Sequence, residues 1–285
     1  MSKVDIPADI PPQAQETYRE NYKKITKDTQ KLFLFAGDQK IEHLNKDFYG
    51  NNIPPEVNNP EHLFKIADKG QIGAFATQMG LIAQYGKQYP NINYIVKLNS
   101  KTDIIPKEDL DPISNQLWNI DEVVELKKNS GLSICGIGYT IYLGSEFEAD
   151  MLAQASQLIY EAHHAGLIAI LWMYPRGSHV ANEKNPNLLA GAAGVAVSLG
   201  ADFAKINAPK DPKDLQQAVT AAGKTKLLCS GGPKIDDKTF LRNLYDQIYI
   251  GGTCGTAIGR NVYQRTLDEA IQFTKKVSEI IYTTT

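Results

Sequence analysis

Eight short apolar runs, each followed by a segment of helical period, constrain this chain more than any other feature. The runs occupy residues 31–38, 73–78, 93–99, 133–142, 167–175, 203–207, 226–232 and 253–260. Helical stretches lie at 61–70, 120–131, 148–166, 187–200, 211–223 and 236–248, and several close on a glycine, the chemistry of a helix C-cap. Such alternation is the pattern of βα units around a parallel sheet. Eight units in 285 residues predict an α/β fold, a TIM (β/α)8 barrel built as one domain over residues 1–285, with an open doubly wound sheet as the alternative. Residues 1–30 read as an N-terminal helical arm. The long polar loops 44–60 and 100–119 follow strands one and three, so in a barrel both rim the catalytic face.

Composition narrows the function. With 42% hydrophobic and 22% charged residues, the chain can bury a large core. Thirty basic residues against 32 acidic ones leave a formal charge of −2, which argues against nucleic-acid or anionic-membrane partners. A local cluster of donors could still bind a small anion. Cys135, Cys229 and Cys254 are odd in number, lack CxxC spacing and sit in apolar or glycine-rich segments. They read as reduced core thiols of a cytoplasmic protein. No stretch has signal-peptide or transmembrane character. His163 and His164 read as packing or surface residues, and His62 and His179 lack metal-ligand spacing, so neither a metal nor a cofactor is expected.

In a barrel the chemistry sits where strands end. The strand ends here offer Asp38 and His43, then Lys97 and Asn99, then Trp172, Tyr174 and Arg176, then Lys205, then Ser230, Gly231 and Gly232, and last Gly259 and Arg260. Lys205 stands inside the apolar stretch FAKIN. Burial disfavours an ammonium and can release the free amine that attacks a carbonyl to form a Schiff base, an electron sink for breaking or making a C–C bond. A lysine paired with a carboxylate or snorkelling to water is the other reading of that stretch. CSGGPK (229–234) and AIGRN (257–261) follow strands seven and eight, where barrels commonly bind phosphate on exposed backbone N–H groups, and Arg260 adds charge-assisted bonds. In WMYPRG (172–177), Trp172 and Tyr174 share one side of a strand; Tyr174 could move a proton and Arg176 could hold a second phosphate. Asp38 can anchor a substrate hydroxyl or accept a proton, or simply cap a turn.

In this order, AGDQKIEH, GYTIYLGS, WMYPRG, FAKIN, SGGPK and IGRNVYQR resemble the archaeal-type class I fructose-bisphosphate aldolases over roughly residues 30–265. The resemblance implies a TIM barrel with Lys205 as Schiff-base lysine, Tyr174 as proton donor or acceptor and Asp38 on the substrate hydroxyls. It also implies a C1-phosphate site of Ser230, Gly231, Gly232, Gly259 and Arg260, with Arg176, helped by His43, at the far phosphate. One segment departs: the family often reads Asp-His-Gly-Ile-Glu-His where this chain has Asp38-Gln39-Lys40-Ile41-Glu42-His43. Gln39 can hydrogen-bond a substrate oxygen but cannot titrate, and Lys40 puts a cation where glycine is permissive.

The expected activity is reversible cleavage of fructose 1,6-bisphosphate to dihydroxyacetone phosphate and glyceraldehyde 3-phosphate. The expected partners are small sugar phosphates and further copies of the chain in a homo-oligomer. A Schiff-base aldolase acting on another phosphorylated ketose or in aromatic amino-acid precursor synthesis is the sibling reading. A non-catalytic sugar-phosphate sensor is the reading from another class. A nearby Lys205 iminium or Arg176 is expected to favour the anionic form of Tyr174.

Overall fold

The computed structural model describes residues 4–106 and 109–283. Parallel strands β1 (Leu32–Ala36), β2 (Ala74–Gln78), β3 (Tyr94–Lys97), β4 (Ile134–Leu143), β5 (Ile168–Pro175), β6 (Phe203–Ile206), β7 (Lys226–Ser230) and β8 (Gly255–Ile258) follow one another around a closed barrel. Closure comes from β8 pairing with β1, Leu32 opposite Gly255. Each strand falls on one of the eight apolar runs, β4 extending one residue past its run, to Leu143. The strands are nearly all buried because interior side chains cover one face and helices the other, which is why they read as apolar runs rather than as alternation.

Side chains sort by the two-residue pleat. Leu32, Leu34, Ala74, Ala76, Ile95, Ile168, Ile170, Phe203, Leu228 and Ala257 fill the interior. Phe33, Phe35, Phe75, Ala169, Leu171, Ala204 and Ile206 pack outward. The arm expected at 1–30 contains α1 (Gln15–Thr26), which closes the N-terminal mouth. Tyr22 stacks on Phe203 with centroids 5.6 Å apart, and the Tyr18 hydroxyl donates to Asp202 Oδ1 at 2.5 Å. His163, fully buried, joins this plug through Asp9 and Asp202, while His164 is exposed. Both serve packing or surface, as read from the sequence.

The outer helices include α2 (Glu61–Lys69), α3 (Met79–Tyr85), α4 (Ile120–Ser130), α5 (Glu148–His164), α6 (Pro186–Ser198), α7 (Leu215–Ala222), α8 (Asp237–Tyr249) and α9 (Leu267–Tyr282). Of these, α3 and α9 lie outside the helical stretches read from the sequence. Asn119 with Glu122 and Thr266 with Glu269 form capping boxes that start α4 and α9. All three cysteines are free thiols, Cys254 only partly buried. Among the described residues, no helix is long and apolar enough to cross a membrane.

Both long loops are tied to the C-terminal face. Loop 44–60 is held by Phe48, stacked on Tyr263 at 4.8 Å, and by Lys40, whose Nζ lies over the Phe48 ring and donates to the Asn58 carbonyl. The residue that departs from the family pattern is thus a strap for this loop. Loop 100–119 begins and ends in a two-stranded antiparallel ribbon, Asn99–Ser100 with Asn115–Gln116, and the Asp103 amide donates to the Glu42 carbonyl at 2.9 Å.

Candidate active site

Phe203 and Lys205 are two residues apart on β6, so the pleat that buries Phe203 in the barrel also turns Lys205 inward at the strand's C-terminal end. Lys205 is 4% exposed. It pairs in register with Trp172 of β5, and its ammonium lies 5.4 Å from the Trp172 ring centroid. The same alternation brings Trp172 and Tyr174 inward. Gly138 on β4 makes room for the indole, since a Cβ there would stand 2.5 Å from a Trp172 ring carbon.

One cavity of about 120 Å³ is lined by Asp38, Gln39, His43, Trp172, Tyr174, Arg176, Lys205, Ser230, Gly231, Gly232, Gly259 and Arg260, together with Glu42, Asn207 and Ala257. Arg176, Asn207, Ser230, Gly231, Gly232 and Arg260 also line a neighbouring cavity of about 500 Å³. Of the strand-end residues singled out, Lys97 and Asn99 do not line the smaller cavity. Lys97 Nζ donates to Asn99 Oδ1 at 2.6 Å and to the Asn99 carbonyl at 3.0 Å. Asn99 in turn bonds the Ser114 and Thr140 carbonyls, so it is a structural clasp.

Several polar atoms facing this end of the barrel are buried without a partner: Asp38 Oδ1, Gln39 Oε1, Trp172 Nε1 and both amide atoms of Gln78. Buried polar groups are normally paired. Of these residues, Asp38, Gln39 and Trp172 line the smaller cavity, which leaves unmet hydrogen-bonding capacity on its wall. Gln39 also packs over Gly259, where a Cβ would lie 2.8 Å from Gln39 Oε1 and 2.5 Å from the Ala36 carbonyl.

The glycine-rich turns are rigidly tied. Gly232 has φ +63°, a left-handed backbone suited to glycine. Asn261 Nδ2 donates to the Gly231 and Pro233 carbonyls at 3.0 Å each, locking the β7 turn to the segment after β8. Ser230 Oγ donates to Asn207 Oδ1 at 3.2 Å. Arg176 is gripped by Glu183 through two bonds of 2.8 Å, and its guanidinium lies over the rings of Tyr142 and Tyr174. His43, expected to help Arg176 at the far phosphate, lines the same cavity; its charged neighbours are Glu42, Asp47, Asp103 and Arg260. Among the described residues, Glu42, His43 and Asp103 alone bring three ligand-type atoms within 4.8 Å of one another. Glu42 accepts from the Tyr142 hydroxyl and His43 bonds Asp47.

The charges set the protonation states. Burial lowers the Lys205 pKa from the ordinary lysine value, against the opposing pull of Asp38 and Glu42. Burial likewise takes Lys97 down to about 8. Burial, reinforced by Asp38 and Glu42, raises the Tyr174 pKa well above a free phenol, outweighing Arg176 and Arg260. This corrects, for the free enzyme, the expectation of a tyrosine drawn toward its anion: burial is the largest cause, and the carboxylates from the segment after β1 add to it. Glu42 and Asn207 line the cavity and were missed, although both lie inside quoted motifs. Asp47, which bonds His43 and lies beside Arg260, carries no local signal.

Residues 32–265 match the profile of the DeoC/LacD family aldolases. The chain belongs to that family. This aldolase is 52% identical, over 97% of its length and 90% of the relative's, to the fructose-bisphosphate aldolase/6-deoxy-5-ketofructose 1-phosphate synthase of Methanocaldococcus jannaschii. Its fold superposes with TM-score 0.96 on a solved fructose-bisphosphate aldolase from Slackia heliotrinireducens, at 52% identity and covering 98% of this chain and 90% of that one. An archaeal fructose-1,6-bisphosphate aldolase, solved with its catalytic Lys bound covalently to the carbinolamine intermediate of the substrate, aligns with TM-score 0.82 at 32% identity, covering 93% of the aldolase and 100% of the neighbour.

Proposed function

We propose that this aldolase cleaves fructose 1,6-bisphosphate reversibly to dihydroxyacetone phosphate and glyceraldehyde 3-phosphate through a Schiff base on Lys205. The observation that carries the reading is the state of that amine. Lys205 opens on the cavity, has its pKa lowered by burial and makes no hydrogen bond or ion pair among the described residues. Lys97 also has a depressed pKa, but Asn99 holds its amine away from the cavity wall. A nucleophile needs both a free amine and access to the carbonyl.

In this reading Lys205 adds to the C2 carbonyl, and water leaves to give an iminium. Asp38, with an unpaired oxygen, anchors substrate hydroxyls, and Gln39 offers a hydrogen bond beside it. Tyr174 starts as the neutral phenol and exchanges protons with the C4 oxygen and the enamine carbon. Ser230, Gly231, Gly232, Gly259 and Arg260 take one phosphate, and Arg176 takes the other by sharing its guanidinium with Glu183. No step calls on a metal.

The name of the Methanocaldococcus jannaschii relative supports a second reading, in which the same lysine chemistry builds 6-deoxy-5-ketofructose 1-phosphate. An acceptor-aldehyde panel separates the two. The homo-oligomer and the cytoplasmic setting belong to this proposal too; the partly exposed Tyr245 and Ile250 offer apolar surface for association, measurable by light scattering. The deciding experiment is borohydride reduction in the presence of dihydroxyacetone phosphate. It should inactivate the enzyme and add the reduced triose phosphate to the FAKIN peptide, with activity indifferent to EDTA. An adduct on Lys97 or elsewhere overturns the assignment.

A further inference from the structure

Asp47 lies in the loop after β1, outside every motif read from the sequence, yet it touches two cationic groups of the cavity wall. Its Oδ2 is 2.5 Å from His43 Nδ1 and 3.6 Å from Arg260 Nε, and it accepts from the Tyr263 hydroxyl at 3.4 Å. Its backbone carbonyl accepts from Gln264 Nε2 at 2.8 Å. The neighbouring Phe48 ring lies within 6° of parallel to Tyr263. His43 and Arg260 line the cavity and Asp47 does not, so the carboxylate supports them without occupying the space they face.

We propose that Asp47 is a positioning residue for phosphate recognition: anchored to the segment after β8, its carboxylate fixes the His43 imidazole and the Arg260 guanidinium so that both serve the same substrate phosphate. The inference rests on the sugar-phosphate reading above. A carboxylate on Nδ1 favours the doubly protonated ring and leaves Nε2, 3.9 Å from Asp103 Oδ2, as the nitrogen that can turn to a ligand. Paired support of this kind holds a donor within the narrow geometry that recognition requires.

Every charged neighbour of His43 bears on its proton. Glu42 sits on its own turn, Asp47 on the following loop, Asp103 on the loop after β3, itself paired with Lys101, and Arg260 after β8. Burial opposes the charged ring, as does Arg260, but the hydrogen bond to Asp47 and the charges of Glu42 and Asp47 outweigh them and raise the pKa. The same contacts hold Asp47 below the ordinary carboxylate value despite its burial. With the carboxylate neutralised, His43 would release its proton at lower pH.

The test is Asp47→Asn, nearly isosteric but uncharged. At pH 7.5 it should raise KM for fructose 1,6-bisphosphate about tenfold, the worth of one charge-assisted contact, while kcat stays within about twofold. The KM ratio should shrink as pH falls and the variant's His43 gains its proton as well. Inorganic phosphate, titrated calorimetrically, should lose affinity in parallel, and Asp47→Glu should recover most of it. In a His43→Gln background, Asp47→Asn should add no more than about a threefold loss. In the unmodified enzyme, His43 followed by NMR should titrate above the ordinary histidine value and higher still with phosphate bound. An unchanged KM and phosphate affinity, a loss equal at every pH and undiminished in the His43→Gln background, or an ordinary His43 titration overturns the proposal. If the parent binds phosphate through Asp47 as described but does not cleave fructose 1,6-bisphosphate, the substrate reading fails and this inference stands.

Discussion

Tyr174→Phe removes one oxygen from the cavity wall and little else. The ring keeps its near-parallel contact with Tyr142, centroids 6.4 Å apart, and its place under the Arg176 guanidinium, 5.3 Å from the ring centre. Its hydroxyl makes no hydrogen bond among the described residues, so its loss strands no partner and should cost well under about 1 kcal/mol of stability. The chemical cost is separate. Burial and the nearby Asp38 and Glu42 keep the phenol protonated at neutral pH, so the group begins the cycle as an acid. A positioned acid or base contributes roughly two to four orders of magnitude, or about 3 to 5 kcal/mol of barrier. Steady-state cleavage of fructose 1,6-bisphosphate should show that loss in kcat. Thermal unfolding should shift by a few degrees at most, and borohydride should still label Lys205. Turnover within a few-fold of the parent would make Tyr174 a packing residue and pass the proton to Asp38 or a water. Loss of labelling along with turnover would mean the ring itself shapes the lysine site.

Arg260→Ala should raise KM for a bisphosphate and a 1-phosphate ketose alike, whereas Arg176→Ala should penalise the bisphosphate more; equal effects of Arg176→Ala on both substrates would remove it from the far phosphate. Lys97 titrates near 8 when folded, below its ordinary value of 10.5, so the unfolded chain binds the extra proton and the parent gains stability as pH rises from about 8 toward 10.5. Lys97→Met lacks that gain, so its stability relative to the parent should fall by up to about 3 kcal/mol across the window; a urea-unfolding difference that is the same at pH 7.5 and 10 would contradict it.

The barrel was readable in the sequence because strands buried on both faces leave no polar alternation, and turns and capped helices separate them. The runs over-reached at their ends: residues 37–38, 98–99, 231–232 and 259–260 lie beyond the strands of the barrel, and there the backbone turns outward with the functional groups. Helix α3, seven residues long, is too short for a firm period. Helix α9 did carry a legible start in Thr266 and Glu269. The pleat also places Lys205, Trp172 and Tyr174 on the inner side from the sequence alone, since residues two apart on a strand share a face.

What one dimension leaves open is which groups meet. Lys97 and Lys205 are both lysines at strand ends, and only the clasp by Asn99, itself tied to Ser114 and Thr140, separates a held amine from a free one. Burial raises the Tyr174 pKa, and Asp38 and Glu42, more than 130 residues away in the chain, reinforce it. Asp47 has no motif at all, and acquires its role only where β8 closes on β1 and sets Arg260 and Tyr263 against the loop after β1. Local pattern determines which side of a strand a residue faces, because the pleat is a property of neighbouring residues. Protonation and hydrogen-bond partnership depend on distances across the barrel, and those exist only once the sheet has closed.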